Sequence, residues 1–141
     1  MSVHALDIVG GAETIGFPIN DSNDLIQAVR SGFSVKTVFY LLGTGRLTAA
    51  ELDHAVIARK TLVNRKKIGT LTSDQSDKLM RTARVIAAAE DTFGSKEKAA
   101  AWLRRATTAL NGQAPISLLD TNEGAAQVEA LLVRIDHGIA A

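Results

Sequence analysis

No stretch of this 141-residue sequence alternates apolar with polar side chains convincingly, as a half-buried strand requires. Nearly every periodic segment instead repeats its apolar residues at the three-to-four spacing of a helix, which predicts an all-α fold. The longest such segment opens at Thr72-Ser73-Asp74-Gln75. Thr72 and Gln75 stand at capping-box spacing, so each side chain can satisfy an N-terminal amide that has no partner inside the helix. Leu79, Ala83, Ile86, Ala87 and Phe93 then make one apolar stripe, and Gly94 sits where a left-handed residue ends a helix. Thr48 and Glu51 repeat the capping-box pattern upstream.

That second box predicts a helix to about Ala55, a tight turn through Val56, Ile57 and Ala58, and a restart over Arg59 to Lys67, with Leu62 and Val63 facing inward. This is helix-turn-helix spacing. Before it, Gly10-Gly11, Gly16 and Pro18 mark residues 1–22 as a loosely held arm. Asp24 to Ser31 reads as a short helix stopped by Gly32. Ser34 reads as the N-cap of another, whose Val35, Val38, Phe39 and Leu42 face a core until Gly43-Thr44-Gly45 breaks it. Downstream of Gly69, Ser95 caps a helix with Ala99, Trp102, Leu103 and Ala106 on one face, and Asn111-Gly112 is a turn. Pro115 starts a short helix reaching Leu119. Asp120 or Thr121 caps the last helix, where Val128, Leu131, Leu132 and Ile135 repeat, His137 meets the C-terminal dipole and Gly138 stops it. The expected organisation is an arm (1–22), a helix-turn-helix domain (23–68) and a C-terminal helical domain (69–141).

The net charge of +1 conceals a segregated distribution. Residues 1–58 carry three basic against six acidic side chains, residues 59–105 twelve against five, and residues 106–141 one against four. Five cations, Arg59, Lys60, Arg65, Lys66 and Lys67, fall within nine residues that hold no acid. Such a local field attracts phosphate whatever the total charge. On the second helix of the motif, Arg59, Lys60, Lys66 and Lys67 are expected on phosphates, and Thr61, Asn64 and Arg65 at base edges.

Catalytic chemistry has little to work with. With no cysteine there is no disulfide, thiolate ligand or thiol nucleophile, and a bacterial cytoplasmic setting is natural. His4, His54 and His137 are isolated from one another and from metal-ligand spacing. Gly43-Thr44-Gly45 lacks the strand and third glycine of a dinucleotide loop. Asp74 with Asp77 and Glu90 with Asp91 read as capping or surface carboxylates. No apolar run approaches a membrane span. No enzyme, cofactor, metal or membrane association is expected.

The string Leu71-Thr72, Ser76-Asp77-Lys78-Leu79, Ala83-Arg84-Val85, Phe93-Gly94, Lys98-Ala99 and Trp102-Leu103 resembles the toxin-binding domain of Xre-type antitoxins from RES-Xre toxin-antitoxin modules. The match continues through Ala109-Leu110-Asn111-Gly112, Pro115, Leu118-Leu119-Asp120-Thr121, Gly124-Ala125, Val128-Glu129, Leu132 and Arg134-Ile135-Asp136-His137-Gly138. The upstream half resembles the family's helix-turn-helix less closely, with Val56 in place of a turn glycine and Asn64 in place of one of two arginines. The resemblance implies a dimeric antitoxin that occludes a NAD-degrading RES-domain toxin and represses its own operon. NAD would be the partner's substrate and not a cofactor here. The toxin-facing residues it implies are Trp102, Leu119, Asp120, Thr121, Arg134, Ile135, Asp136, His137, Gly138 and Ile139. Trp102, Leu118, Leu119, Val128, Leu132 and Ile135 also fit a buried stripe, which leaves Arg134, Asp136, His137, Gly138 and Ile139 as the exposed set. A stand-alone helix-turn-helix regulator and a toxin-binding adaptor without DNA binding are the alternatives.

Overall fold

The computed structural model describes residues 3–138. In chain order it contains α1 (Val3–Ile8), α2 (Gly11–Ile15), α3 (Ser22–Ser31), α4 (Lys36–Gly43), α5 (Ala49–Ala55), α6 (Arg59–Ile68), α7 (Ser73–Phe93), α8 (Lys96–Leu103) and α9 (Asn122–Asp136). Two 3₁₀ turns, Thr108–Leu110 and Pro115–Leu118, lie between α8 and α9. Among the described residues, extended pairing is confined to the isolated bridges Ser34 with Thr70 and Thr107 with Gln113.

α7 organises the rest. Its capping box forms as the sequence predicts: the Gln75 amide donates to the Thr72 hydroxyl at 3.1 Å and the Thr72 amide to the Gln75 carboxamide oxygen at 2.9 Å. Twenty-one residues give a rod roughly 30 Å long, and α1, α3, α8 and α9 all pack on it. Surrounded in this way, α7 buries more than one stripe: Met80, Val85 and Ala89 are covered along with Leu79, Ala83, Ile86 and Ala87. Its polar residues are then buried too and must find partners. Ser76 accepts the Phe33 amide at 2.8 Å and donates to the Thr72 carbonyl at 2.8 Å. Arg81 donates to Asn122 Oδ1 at 2.7 Å and to the Leu119 carbonyl at 3.2 Å, which fastens the start of α9.

Three local expectations are corrected. The segment read as a loose arm folds from Val3 onward as α1 and α2, and Ala5, Ile8, Val9 and Ile15 are fully buried. Neither helix is long enough to show a period, so packing holds them, α1 against α7 and α2 against α4 and α1, not local propensity. In α4 the buried positions are Thr37, Val38 and Leu41, while Phe39 is 40% exposed. α8 ends at Leu103, so Ala106 lies beyond it and is exposed.

Candidate functional site

α5 and α6 meet as a helix-turn-helix. The Thr48–Glu51 capping box starts α5, with hydrogen bonds of 3.2 and 2.9 Å. Val56 and Ile57 in the turn are buried and anchor it. Val56 has φ −124°, a backbone that does not require glycine. α6 itself has no buried residue; Leu62 alone leans on the core, half-buried.

The predicted DNA residues divide on this helix. Arg59 turns back to α5, its amide donating to Asp53 Oδ2 at 3.2 Å and its guanidinium lying 3.8 Å from the same carboxylate. Arg65 donates from Nε to the Thr70 carbonyl at 2.7 Å, spanning the Gly69 turn. Lys66 lies over the Phe39 ring, 5.4 Å from its centroid. The outward face carries Lys60, Thr61, Asn64 and Lys67, with Arg59 and Lys66 also exposed at its edge, and it is joined by Val63, which is 57% exposed and not inward as the spacing implied. Sequence gives no sign of this division, because Asp53 and the Thr70 carbonyl become neighbours of α6 only in the fold.

The C-terminal set divides as well. Leu119 is fully buried, so it supports the fold and offers no surface. Trp102 is half-buried against Phe93, ring centroids 5.3 Å apart, and Ile135 also packs on the core. Thr121 caps α9, its hydroxyl accepting the Gly124 amide at 2.9 Å. Asp120 is exposed, 3.7 Å from His54 of α5. Arg134, Asp136, His137 and Gly138 are exposed at the end of α9, while Ile139 lies outside the described residues. Beside them α1, α7 and α9 enclose a groove of about 260 Å3 whose rim carries Arg84 with Asp91, Glu129 and Asp136. Val133, 53% exposed, also lines it and was not singled out by sequence.

Two family models match this arrangement. An antitoxin Xre-like helix-turn-helix domain covers residues 24–84, and an antitoxin Xre/MbcA/ParS C-terminal toxin-binding domain covers residues 88–138. An antitoxin Xre of Pseudomonas putida is 36% identical over 111 residues, 78% of this chain and 69% of that protein. An antitoxin Xre of Yersinia enterocolitica is 33% identical over 128 residues, 89% of this chain and 86% of that protein. The chain belongs to the Xre antitoxin family. A Sphingobium relative, 26% identical over 126 residues (82% of this chain, 79% of that protein), is named Prs ADP-ribosylating antitoxin.

In this antitoxin the two matched domains meet inside α7, whereas the charge and turn pattern divides the chain at 68/69. Polar clamps tie α5 and the turn before it to the toxin-binding half. Arg104 of the α8 end donates to both Glu51 oxygens at 2.8 and 2.7 Å, and His54 Nε2 lies 2.8 Å from the Ser117 carbonyl oxygen. The Arg104 guanidinium, assisted by the Thr48 amide, holds the Glu51 carboxyl below its ordinary 4.5. A carboxylate with a lowered folded pKa stabilises above its unfolded value, and that contribution is lost as pH falls through the lowered one. Glu51→Gln is therefore expected to flatten the acid side of the stability–pH profile below about pH 4.5. Urea denaturation at stepped pH checks this.

No helix among the described residues is long and apolar enough to cross a membrane. No cluster of three or more His, Cys, Asp or Glu among them could hold a metal ion.

Proposed function

We propose that this antitoxin neutralises a RES-domain toxin in the bacterial cytoplasm by inserting the end of α9 into the toxin's NAD-degrading cleft. As a homodimer it also represses its own operon through α6. The observation that carries the first part is the exposed set Arg134, Asp136, His137 and Gly138 at the C-terminal end of a helix whose other face is core. Such an end can enter a cleft with little cost to the fold. Trp102, Asp120 and Ile135 flank it as lesser contacts. The second part rests on α6, a helix with five cations, no acid and no buried residue. A dimer would present two such helices to a palindrome.

A RES-type gene should lie beside this one; its expression should arrest growth and deplete NAD, and the full chain should restore both. Removing His137 onward, which spares the core residue Ile135, should abolish rescue while operator binding in a gel shift persists. Full rescue by the truncated chain would sink the occlusion mechanism. For DNA, Lys60→Ala with Lys67→Ala should lower operator affinity by about tenfold or more at moderate salt, and reduce the slope of affinity against salt by roughly two counterions. Unchanged binding would leave a toxin-binding adaptor, and binding without any growth rescue a stand-alone regulator.

A second reading of the partner, ADP-ribose transfer to a protein, is favoured by the name of the Sphingobium relative. Retention of label from adenine-labelled NAD on protein separates it from NAD degradation.

A further inference from the structure

Val63 is an apolar, β-branched residue on the outward face of α6, with Lys60 one turn before it, Lys67 one turn after and Asn64 beside it. Valine is a poorer helix former than the straight-chain residues that suit an exposed helical site, and at 57% exposure it gains little from burial. An ion-pairing face that only neutralised phosphate would gain nothing from it. α6 carries no acidic side chain, so this face fits a polyanion and repels another copy of itself. In the major groove, the apolar feature a base presents is the C5-methyl group of thymine.

We propose that Val63 is a specificity-determining residue that reads a thymine methyl, with Asn64 taking the adenine edge of a nearby pair, so that each half-site carries an A·T element opposite the middle of α6. The inference rests on α6 being the groove-reading helix. Lys60 and Lys67 hold the backbone on either side. Arg65, tied to the Thr70 carbonyl, braces the helix and does not compete for the same bases, and Arg59 lies one turn before Val63, near Asp53.

The test selects duplexes for the full-length chain from a randomised library, then replaces thymines in the selected site one at a time by deoxyuridine, which removes only the methyl. At one thymine per half-site the wild-type chain should lose roughly fourfold in affinity, the worth of one buried methyl group. Val63→Ala should bind the thymine and uracil duplexes alike, and Val63→Thr, which keeps a methyl, should retain the discrimination. Indifference to every uracil, or the same loss in Val63→Ala, overturns the assignment while leaving DNA binding by α6 intact. Failure to enrich any sequence removes DNA reading by α6 itself and the assignment with it. A shift in sedimentation on Val63→Ala would assign the side chain to a second copy of the chain instead.

Discussion

Gly32→Ala is expected to lower the melting temperature by about 10 to 20 °C, the equivalent of about 3–5 kcal/mol in a domain of this size. Gly32 has φ +93°, and a Cβ built there would lie 2.1 Å from the Leu71 carbonyl oxygen. The backbone conformation alone costs an L-residue about 1–2 kcal/mol. The contact adds the larger part because the carbonyl cannot retreat: the Leu71 amide donates to the Phe33 carbonyl at 2.8 Å, and the Leu71 side chain is 1% exposed. On the other side the Val35 amide donates to the Gly69 carbonyl at 3.0 Å. This crossing, where the α3–α4 turn lies against the α6–α7 turn, positions α6, so DNA affinity should fall along with stability. Gly45→Ala is the control. Gly45 also has a positive φ, +76°, but its Cβ would meet nothing within 4 Å, and its loss should stay near 1 kcal/mol. Equal melting temperatures for the two variants, read by circular dichroism, would show that the close approach to Leu71 contributes nothing.

A close approach of this kind also explains Gly124, part of the family-like string. Its Cβ would lie 2.0 Å from the Leu118 carbonyl oxygen, so the glycine lets the 3₁₀ turn rest on the first turn of α9. The residue type was visible in the sequence; the reason for it was not, since Leu118 and Gly124 come together only by packing.

The elements legible in advance are those whose signals are local. Both capping boxes, the left-handed Gly94, Pro115 at the head of its turn and the Thr121 cap each need only a few neighbouring residues. α1 and α2 were illegible because glycines punctuate them and their apolar residues fit only surfaces made by distant elements, α7 for α1 and α4 for α2. Which face of α4 turns inward was also undetermined. Lys36-Thr37-Val38-Phe39-Tyr40-Leu41-Leu42 is apolar nearly all round, and burial of Thr37 is permitted by its hydroxyl donating to the Ser34 carbonyl at 2.7 Å. On α6 the composition announced a cationic helix, but three of its five cations are turned to Asp53, Thr70 and Phe39. Arg59 and Lys66 stay exposed in these contacts and Arg65 is half-buried, a division that charge density in the sequence does not carry. At the other end, the family resemblance placed Leu119 and Ile135 on a partner surface while helical spacing placed them in a buried stripe, and packing buries Leu119 fully and Ile135 in part.

Glu90→Ala is expected to cost about 3–5 kcal/mol, the range for removing one member of a buried ion pair. Glu90 is 8% exposed, within α7 and within the toxin-binding match. It accepts two hydrogen bonds from Arg46, at 2.6 Å from Nε and 3.0 Å from Nη2, and lies 3.2 Å from His4 of α1. Arg46 belongs to the turn entering α5, and Lys96 of α8 donates to the Thr44 carbonyl in the same turn. The carboxylate thus raises the Arg46 pKa and holds three segments together: the first helix, the helix-turn-helix and the central rod. Removing it leaves a guanidinium that is 18% exposed without its counter-charge. Arg46→Ala should cost a similar amount, whereas Arg46→Met with Glu90→Leu should recover much of the loss, because the burial penalty of both charges disappears together. Stability from urea unfolding of the wild type, Arg46→Ala, Glu90→Ala and the double alanine variant gives the coupling energy directly. Additive losses would mean that the pair does not join the segments and that apolar packing of α7, with the Arg104–Glu51 clamp, carries the union of the two domains. Non-additive losses, accompanied by weaker DNA binding in Glu90→Ala, would show that a carboxylate in the toxin-binding half sets the pose of the helix-turn-helix.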